Sequence, residues 1–203
     1  MRTWNAGIYN AFQSTLNRSH LDWGDLRSDN YHTTGYEDSK FYMNALVSTM
    51  SEFSWENLYR CINLCNIAIE RYPTIPQILE SEYAPYIGQA YGMRALMYFY
   101  GIRVWGKMPL MTKPWDGDLS KVAIARSPIE DVKRQILEDI DESLYFLGTD
   151  VSDKFYFNKA AAYALKTDVH MWFKEYNEVL ESSKYFVNNS NFQLVNNEKE
   201  WKD

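Results

Sequence analysis

Histidine, cysteine and basic runs are scarce in this chain, and each scarcity removes a class of function. The three histidines, His20, His32 and His170, are scattered, and none has a metal-ligand partner at HExxH-like spacing. No GxSxG elbow, P-loop or GxGxxG is present, which leaves the common hydrolase, nucleotide and dinucleotide motifs unfilled. Lys and Arg number 21 against 27 Asp and Glu, a net charge of −6, with no basic stripe or run. Nucleic acid and anionic membrane surfaces are therefore not expected partners. The only cysteines, Cys61 and Cys65, lie one helical turn apart on a shared face, where disulfide geometry is rarely met. They read as two small buried apolar side chains, with a metal pair as the alternative.

The start, "MRTWNAGIYNAF", lacks the basic segment and continuous apolar core of a signal peptide. That is expected of a cytoplasmic protein or of a mature or truncated chain. The end, "NNEKEWKD", does not look like a natural terminus, so a fragment is expected. Strand signals are almost missing as well.

What the 203 residues do hold is helical periodicity and aromatics, with 16 Tyr, 10 Phe and 7 Trp. The clearest helix spans Ser127 to Leu147. Ser127 and Glu130 fit a capping box, Pro128 takes the first turn, and Gly148 is the expected stop. Ile129, Val132, Ile136, Ile140, Leu144 and Leu147 form its apolar stripe. Further helices are expected over 1–12, 52–72, 83–105, 158–173 and 176–187. The break between the last two is very short, which implies antiparallel hairpins. "AYGMRALMYFYG" from Ala90 matches "AYALKTDVHMWF" from Ala162 in its order of small, apolar, basic and aromatic residues. Their offset of 72 residues is about twice the 34-residue tetratricopeptide period.

The stretch from Ala90 to Leu110 is apolar enough to raise a membrane span, for which about 20 residues suffice. Arg94 and Arg103, nine residues apart, would face opposite sides of such a helix, and Trp105-Gly106 and Pro109 end it. It reads instead as a helix buried between neighbours.

Two long excursions interrupt the helices, Arg18 to Thr49 and Met108 to Arg126. Loops of this length inside a domain are usually functional or disordered, and the first carries too many aromatics for a disordered linker. Sugar recognition needs flat apolar faces for stacking and directional polar groups at their edge. Trp23, Tyr31 and Tyr36 supply the first kind, and Arg27, Asp29, Asn30 and His32 the second. Each aromatic could equally pack the excursion onto the helices. Trp115 is a secondary candidate, either for ligand, as a wedge beneath its loop, or facing a protein partner. The acid pairs Asp22/Asp25 and Asp116/Asp118 have the residue type of a glycosidase centre but also of ordinary turns.

Several segments resemble one family. They are "WENLYRCINLCN" from Trp55, "RALMYFYGIRVWGKMPL" from Arg94, "RSPIEDVKRQILEDIDESLYFL" from Arg126, and the run from "NKAAAYALKTDVHMW" to "FQLV". In this order they resemble the SusD/RagB family of surface glycan-binding lipoproteins. Gln89 and Tyr91 depart from it, standing where many members carry an acid and a base. The resemblance implies an all-α fold of tetratricopeptide-like hairpins in a right-handed superhelical array, with residues 1–203 as a single N-terminal helical-repeat domain. It implies no catalysis and no cofactor. It implies capture of an oligosaccharide or polysaccharide for a SusC-like TonB-dependent transporter, at the extracellular face of the outer membrane. Membrane attachment would come only through an N-terminal lipid anchor that this chain lacks. Tyr31, His32 and Tyr36 match, by position after Ser28-Asp29-Asn30, a segment that often forms part of the family's glycan platform. The competing readings are a generic tetratricopeptide-like scaffold for protein partners and a fragment of an α/α-barrel glycan-active enzyme.

Overall fold

A computed structural model describes residues 1–17, 19–28, 40–41, 43–118, 123–149, 151–189 and 191–194. Among them the chain forms seven α-helices: α1 (Arg2–Leu16), α2 (Ser19–Trp23), α3 (Glu56–Arg71), α4 (Glu80–Trp105), α5 (Ile129–Phe146), α6 (Lys159–Trp172) and α7 (Tyr176–Val187). No strand is found among the described residues; the only pairing is one antiparallel bridge between Met108 and Ser127. No described helix is long and apolar enough to cross a membrane.

The helices stack nearly in chain order: α1 on α3, α3 on α4, α4 on α5, α5 on α6 and α6 on α7. This is the all-α, tetratricopeptide-like arrangement expected. The centre is α4, with Ala90, Ala95, Met97, Tyr98 and Phe99 all buried, because it has neighbours on several sides and needs apolar residues around most of its circumference. Small residues set the approach distance. A Cβ on Gly92 would collide with the Phe157 ring, and one on Gly101 with Met108. Cys61 and Cys65 are buried free thiols in α3, and burial raises Cys65 well above the ordinary thiol range.

Several boundaries differ from expectation, each for a local reason. Helix α5 begins at Ile129, and Ser127 makes no cap; its N–H donates instead to the Met108 carbonyl at 2.9 Å. Gly148 is not the stop either, because Leu147 already turns extended and buries its side chain. Helix α4 starts three residues early, where Glu82 Oε2 accepts from the Leu79 N–H at 2.9 Å. The first excursion is not wholly irregular, since it holds α2 and a 3₁₀ turn over Asp25–Arg27. Helix α7 lies where it was expected, after a turn in which Lys174 takes φ 61° and Glu175 N–H donates to the His170 carbonyl at 2.9 Å.

Gln89 and Tyr91, the two departures from the family pattern, both have partners. Gln89 Oε1 accepts from Asn5 Nδ2 at 2.8 Å and from the Tyr9 hydroxyl at 3.0 Å. Tyr91 stacks on Phe146 with ring centroids 6.1 Å apart. Neutral hydrogen bonds and stacking join the helices at these two positions.

A charge lies inside the array. Arg94 of α4, 3% exposed, forms a bidentate pair with Asp139 of α5, which is fully buried. Nη2 donates to Oδ1 at 2.6 Å and Nε to Oδ2 at 2.8 Å. Nη1 donates to Asn66 Oδ1 of α3 at 2.7 Å and to the Thr112 carbonyl at 3.2 Å. Burial pushes the Asp139 carboxyl above its ordinary value, and the guanidinium opposes that shift.

Removing one member of this pair leaves an uncompensated buried charge. Arg94→Ala is expected to cost about 3–5 kcal/mol in urea unfolding, whereas the double change Arg94→Met, Asp139→Leu recovers most of that loss. Equal destabilisation by both would show that the ion pair is not the cause. A weaker polar cluster joins α5 to the α6–α7 turn, where Lys133 and the His170 ring both donate to Glu175. Those two hydrogen bonds hold the Glu175 carboxyl below its ordinary value of 4.5. A depressed folded-state pKa contributes stability above the unfolded value and loses it as pH falls through the folded one. Glu175→Gln should therefore be less stable than wild type at neutral pH, by about 0.5–1 kcal/mol after allowance for its partial exposure. Once the pH has fallen below the depressed folded-state value the two urea midpoints should converge; a gap persisting there would mean that packing rather than charge is lost.

Candidate functional site

The second excursion leaves α4 at Gly106 and runs extended along α3, held by helix side chains that capture its backbone. Tyr59 donates its hydroxyl to the Pro109 carbonyl at 2.6 Å. Tyr98 donates to the Met111 carbonyl at 2.8 Å and accepts the Met111 N–H at 2.7 Å. Asn66 Nδ2 donates to the Met111 and Lys113 carbonyls at 2.9 and 3.0 Å. Burial raises the phenols of Tyr59 and Tyr98 well above their ordinary values, so both stay neutral donors.

The result is a fixed Trp115. Its backbone N–H donates to Asn63 Oδ1 at 2.8 Å, and its side chain stays 49% exposed. The turn beyond it closes with Asp118 N–H on Asp116 Oδ1 at 3.0 Å and Gly117 at φ 83°, the Asp-Gly turn chemistry expected of "WDGD". A cleft of about 250 Å³ lies between this segment and α3, lined by Glu56, Tyr59, Arg60, Asn63, Met111 and Trp115 among others. Glu56, Arg60 and Asn63 sit at i, i+4 and i+7, one face of α3. Neither Arg60 nor Glu56 forms an ion pair among the described residues. An aromatic surface with polar groups at its rim can take up a sugar's apolar face and its hydroxyls together.

A second cleft, of about 370 Å³, adjoins the first excursion. Its lining includes Arg27, Phe53, Trp55, Trp105 and Arg126. Trp23 builds its support rather than its opening. The Trp23 indole N–H donates to the Glu52 carbonyl at 2.9 Å, and its ring packs on Trp105 at 5.2 Å and Tyr100 at 6.1 Å. Trp105 in turn meets Trp55 at 6.1 Å, and Trp55 meets Tyr59 at 5.7 Å. The aromatic series Trp23, Trp105, Trp55, Tyr59 thus links both clefts. Trp105 Nε1 is buried without a hydrogen-bond partner among the described residues.

Of the residues singled out from sequence, Trp23 and Arg27 therefore come together around one cleft and Trp115 forms the other. Asp29, Asn30, Tyr31, His32 and Tyr36 lie outside the described residues. Asp22 is buried while its neighbour Asp25 is exposed, so the two do not share an environment. Among the described residues no group of three metal-ligating side chains converges. Sequence reasoning missed Asn63, Asn66, Arg94 and Asp139. For Asn63 and Asn66 the available signal was asparagine, of poor helix propensity, inside a helix, and for Arg94 a charge inside an apolar one; Asp139, on a helix rich in acids, gave no such signal.

Comparison with known proteins bears on all of this. Residues 2–171 match the SusD-like family described as "Starch-binding associating with outer membrane". SusD-like protein P38 of Formosa agariphila is 33% identical over 98% of this chain and 39% of its own length. NanU of B. fragilis superposes with a TM-score of 0.80 at 26% identity, covering 96% of this chain and 42% of that one. A laminarin-binding SusD-like protein shares the fold, with a TM-score of 0.80 at 20% identity, over 98% of this chain and 47% of its own. The chain thus spans less than half the length of each of these relatives. With a family match over most of its residues and the fold to go with it, the chain belongs to the SusD-like family.

Proposed function

We propose that this chain is the helical-repeat part of a non-catalytic surface protein that captures an oligosaccharide and passes it to a SusC-like TonB-dependent transporter. The family match supports the glycan and the outer-membrane setting, and the shared fold of a laminarin-binding relative is consistent with it. The single observation that carries the reading is the exposed Trp115 ring, anchored through its own backbone beside Asn63, Arg60 and Glu56. A platform whose backbone is already held stacks on a pyranose ring at reduced ordering cost, and the polar row on α3 supplies partners for hydroxyls. Arg27, which lines the second cleft, and the sequence-predicted Asp29, Asn30, Tyr31, His32 and Tyr36 would contribute the second part of the surface, with Trp23 supporting the cleft.

Trp115→Ala should weaken oligosaccharide binding by about five- to tenfold, the loss of roughly 1 kcal/mol of stacking. The change should be read by calorimetric titration of the full chain against a panel of plant and algal oligosaccharides. Far-UV circular dichroism should stay unchanged, because the side chain is half exposed. Unaltered affinity in a folded variant would remove Trp115 from the site. Hydrolysis of any panel member would argue for the enzyme reading instead.

A further inference from the structure

The cleft beside the first excursion carries a charge pattern opposite to that of the chain. The protein as a whole is acidic, at −6, yet the described residues that line this cleft include two arginines and no carboxylate. Neither arginine makes an ion pair among the described residues, and each is fixed by a contact that leaves nitrogens over. Arg27 donates Nε–H to Asn44 Oδ1 at 3.0 Å. Asn44 sits in a left-handed turn, φ 53°, whose N–H donates to the carbonyl of the buried Phe41 at 3.0 Å. Both Nη groups of Arg27 have no protein partner among the described residues. Arg126 lies over the Trp55 ring at 4.8 Å, and its one hydrogen bond, from Nη1 to the Lys107 carbonyl, is long at 3.4 Å. Of the acids close to this cleft in sequence, Glu52 has its carboxylate against the Ser51 hydroxyl. Asp25 is exposed and makes no ion pair with Arg27 among the described residues, and Asp29 lies outside the described residues.

A guanidinium oriented through one edge and open along the other matches two oxygens of a planar carboxylate or of a tetrahedral oxyanion through two parallel N–H···O bonds. Two of them at one aromatic-walled cleft make a poor site for a purely neutral sugar, whose hydroxyls do not offset the mutual repulsion of the cations. We propose that this cleft receives the acidic group of a charged sugar residue, a carboxylate or a sulfate ester, while the aromatic wall takes its ring. The inference rests on the glycan-capture reading above and adds the charge class of the ligand.

The experiment titrates the full chain calorimetrically with matched pairs, an oligogalacturonate against its methyl ester and a sulfated galactan oligosaccharide against its desulfated form. At least one charged member should bind about tenfold or more tighter than its neutral partner, and its affinity should fall as salt rises. Which pair shows the preference identifies carboxylate or sulfate as the group read. Arg27→Gln combined with Arg126→Gln should abolish the preference, bringing the charged member down to the affinity of its neutral partner in the same variant. Arg27→Lys, which keeps charge but not the fork, should retain only part of it. Equal binding of both members in each pair, with no effect of the arginine changes, would overturn this inference and leave glycan capture standing. No binding of any sugar, charged or neutral, would overturn both. Both arginines are exposed, so the variants are expected to fold, and circular dichroism checks that directly.

Discussion

The pairing of Arg94 with Asp139 is the contact that joins three of the helices and the second excursion. Taking two charges out of water is costly, and a buried pair is often no more stabilising than well-packed apolar residues. Here the geometry is bidentate and the surrounding groups are used. Asp139 Oδ1 also accepts from Gln135 Nε2 at 2.9 Å, and Asn66 donates and accepts at once. What the network provides beyond stability is position. Through Asn66 and the Thr112 carbonyl it ties the extended segment to three helices, which an apolar substitute could pack against but not grip. Beyond its single bridge at Met108, this segment has its backbone groups met by helix side chains.

The abundance of aromatics follows from the same division of labour. Some fill the core, as Tyr98 and Phe99 do at the centre of α4. Others serve through their polar ends. Tyr9 accepts the Phe157 N–H at 2.7 Å while donating to Gln89, and Tyr59 and Tyr98 hold the second excursion. A tyrosine suits a junction between packed helices and an irregular segment because its ring buries while its hydroxyl meets backbone groups. The indoles of Trp23, Trp105 and Trp55 extend the packing outward to where the first excursion joins, so the helix array continues into the loop that it carries.

Most of the fold was legible because helix periodicity reports buried apolar faces directly. The stripe Val132, Ile136, Ile140 and the short break before Tyr176 fixed two helices, and the matched segments at Ala90 and Ala162 pointed to a stacked array. Periodicity says nothing of a carboxylate that faces inward, so Asp139 passed for one more polar residue on an acidic helix. Ser127 looked like a cap because its neighbours permit one; a long-range bridge to Met108 took its backbone instead, and local sequence carries no trace of that competitor. The site was legible only in kind. Aromatics with polar neighbours marked both excursions, but which indole supports and which is presented depends on partners far away in sequence: Glu52 for Trp23 and Asn63 for Trp115.

The relation between the two clefts turns on one helical turn. Trp55, immediately before α3, lines the arginine-bearing cleft, and Tyr59 lines the other, with their rings in contact. Neither can move without the other. Tyr59 is also bonded to the second excursion, and Trp55 is covered by Arg126 from that excursion's end. Stacking on a single ring is weak, and its net value depends on how little freedom the ring loses when the ligand arrives. A Trp that is free to rotate in solution surrenders rotamer entropy comparable to the stacking it gains. Here the backbone share of that cost is already met during folding, by Asn63 and by the helix side chains that hold residues 109–113. The buried charge at Arg94 therefore acts at the surface: through the Thr112 carbonyl it helps to fix the segment whose backbone presents the half-exposed Trp115.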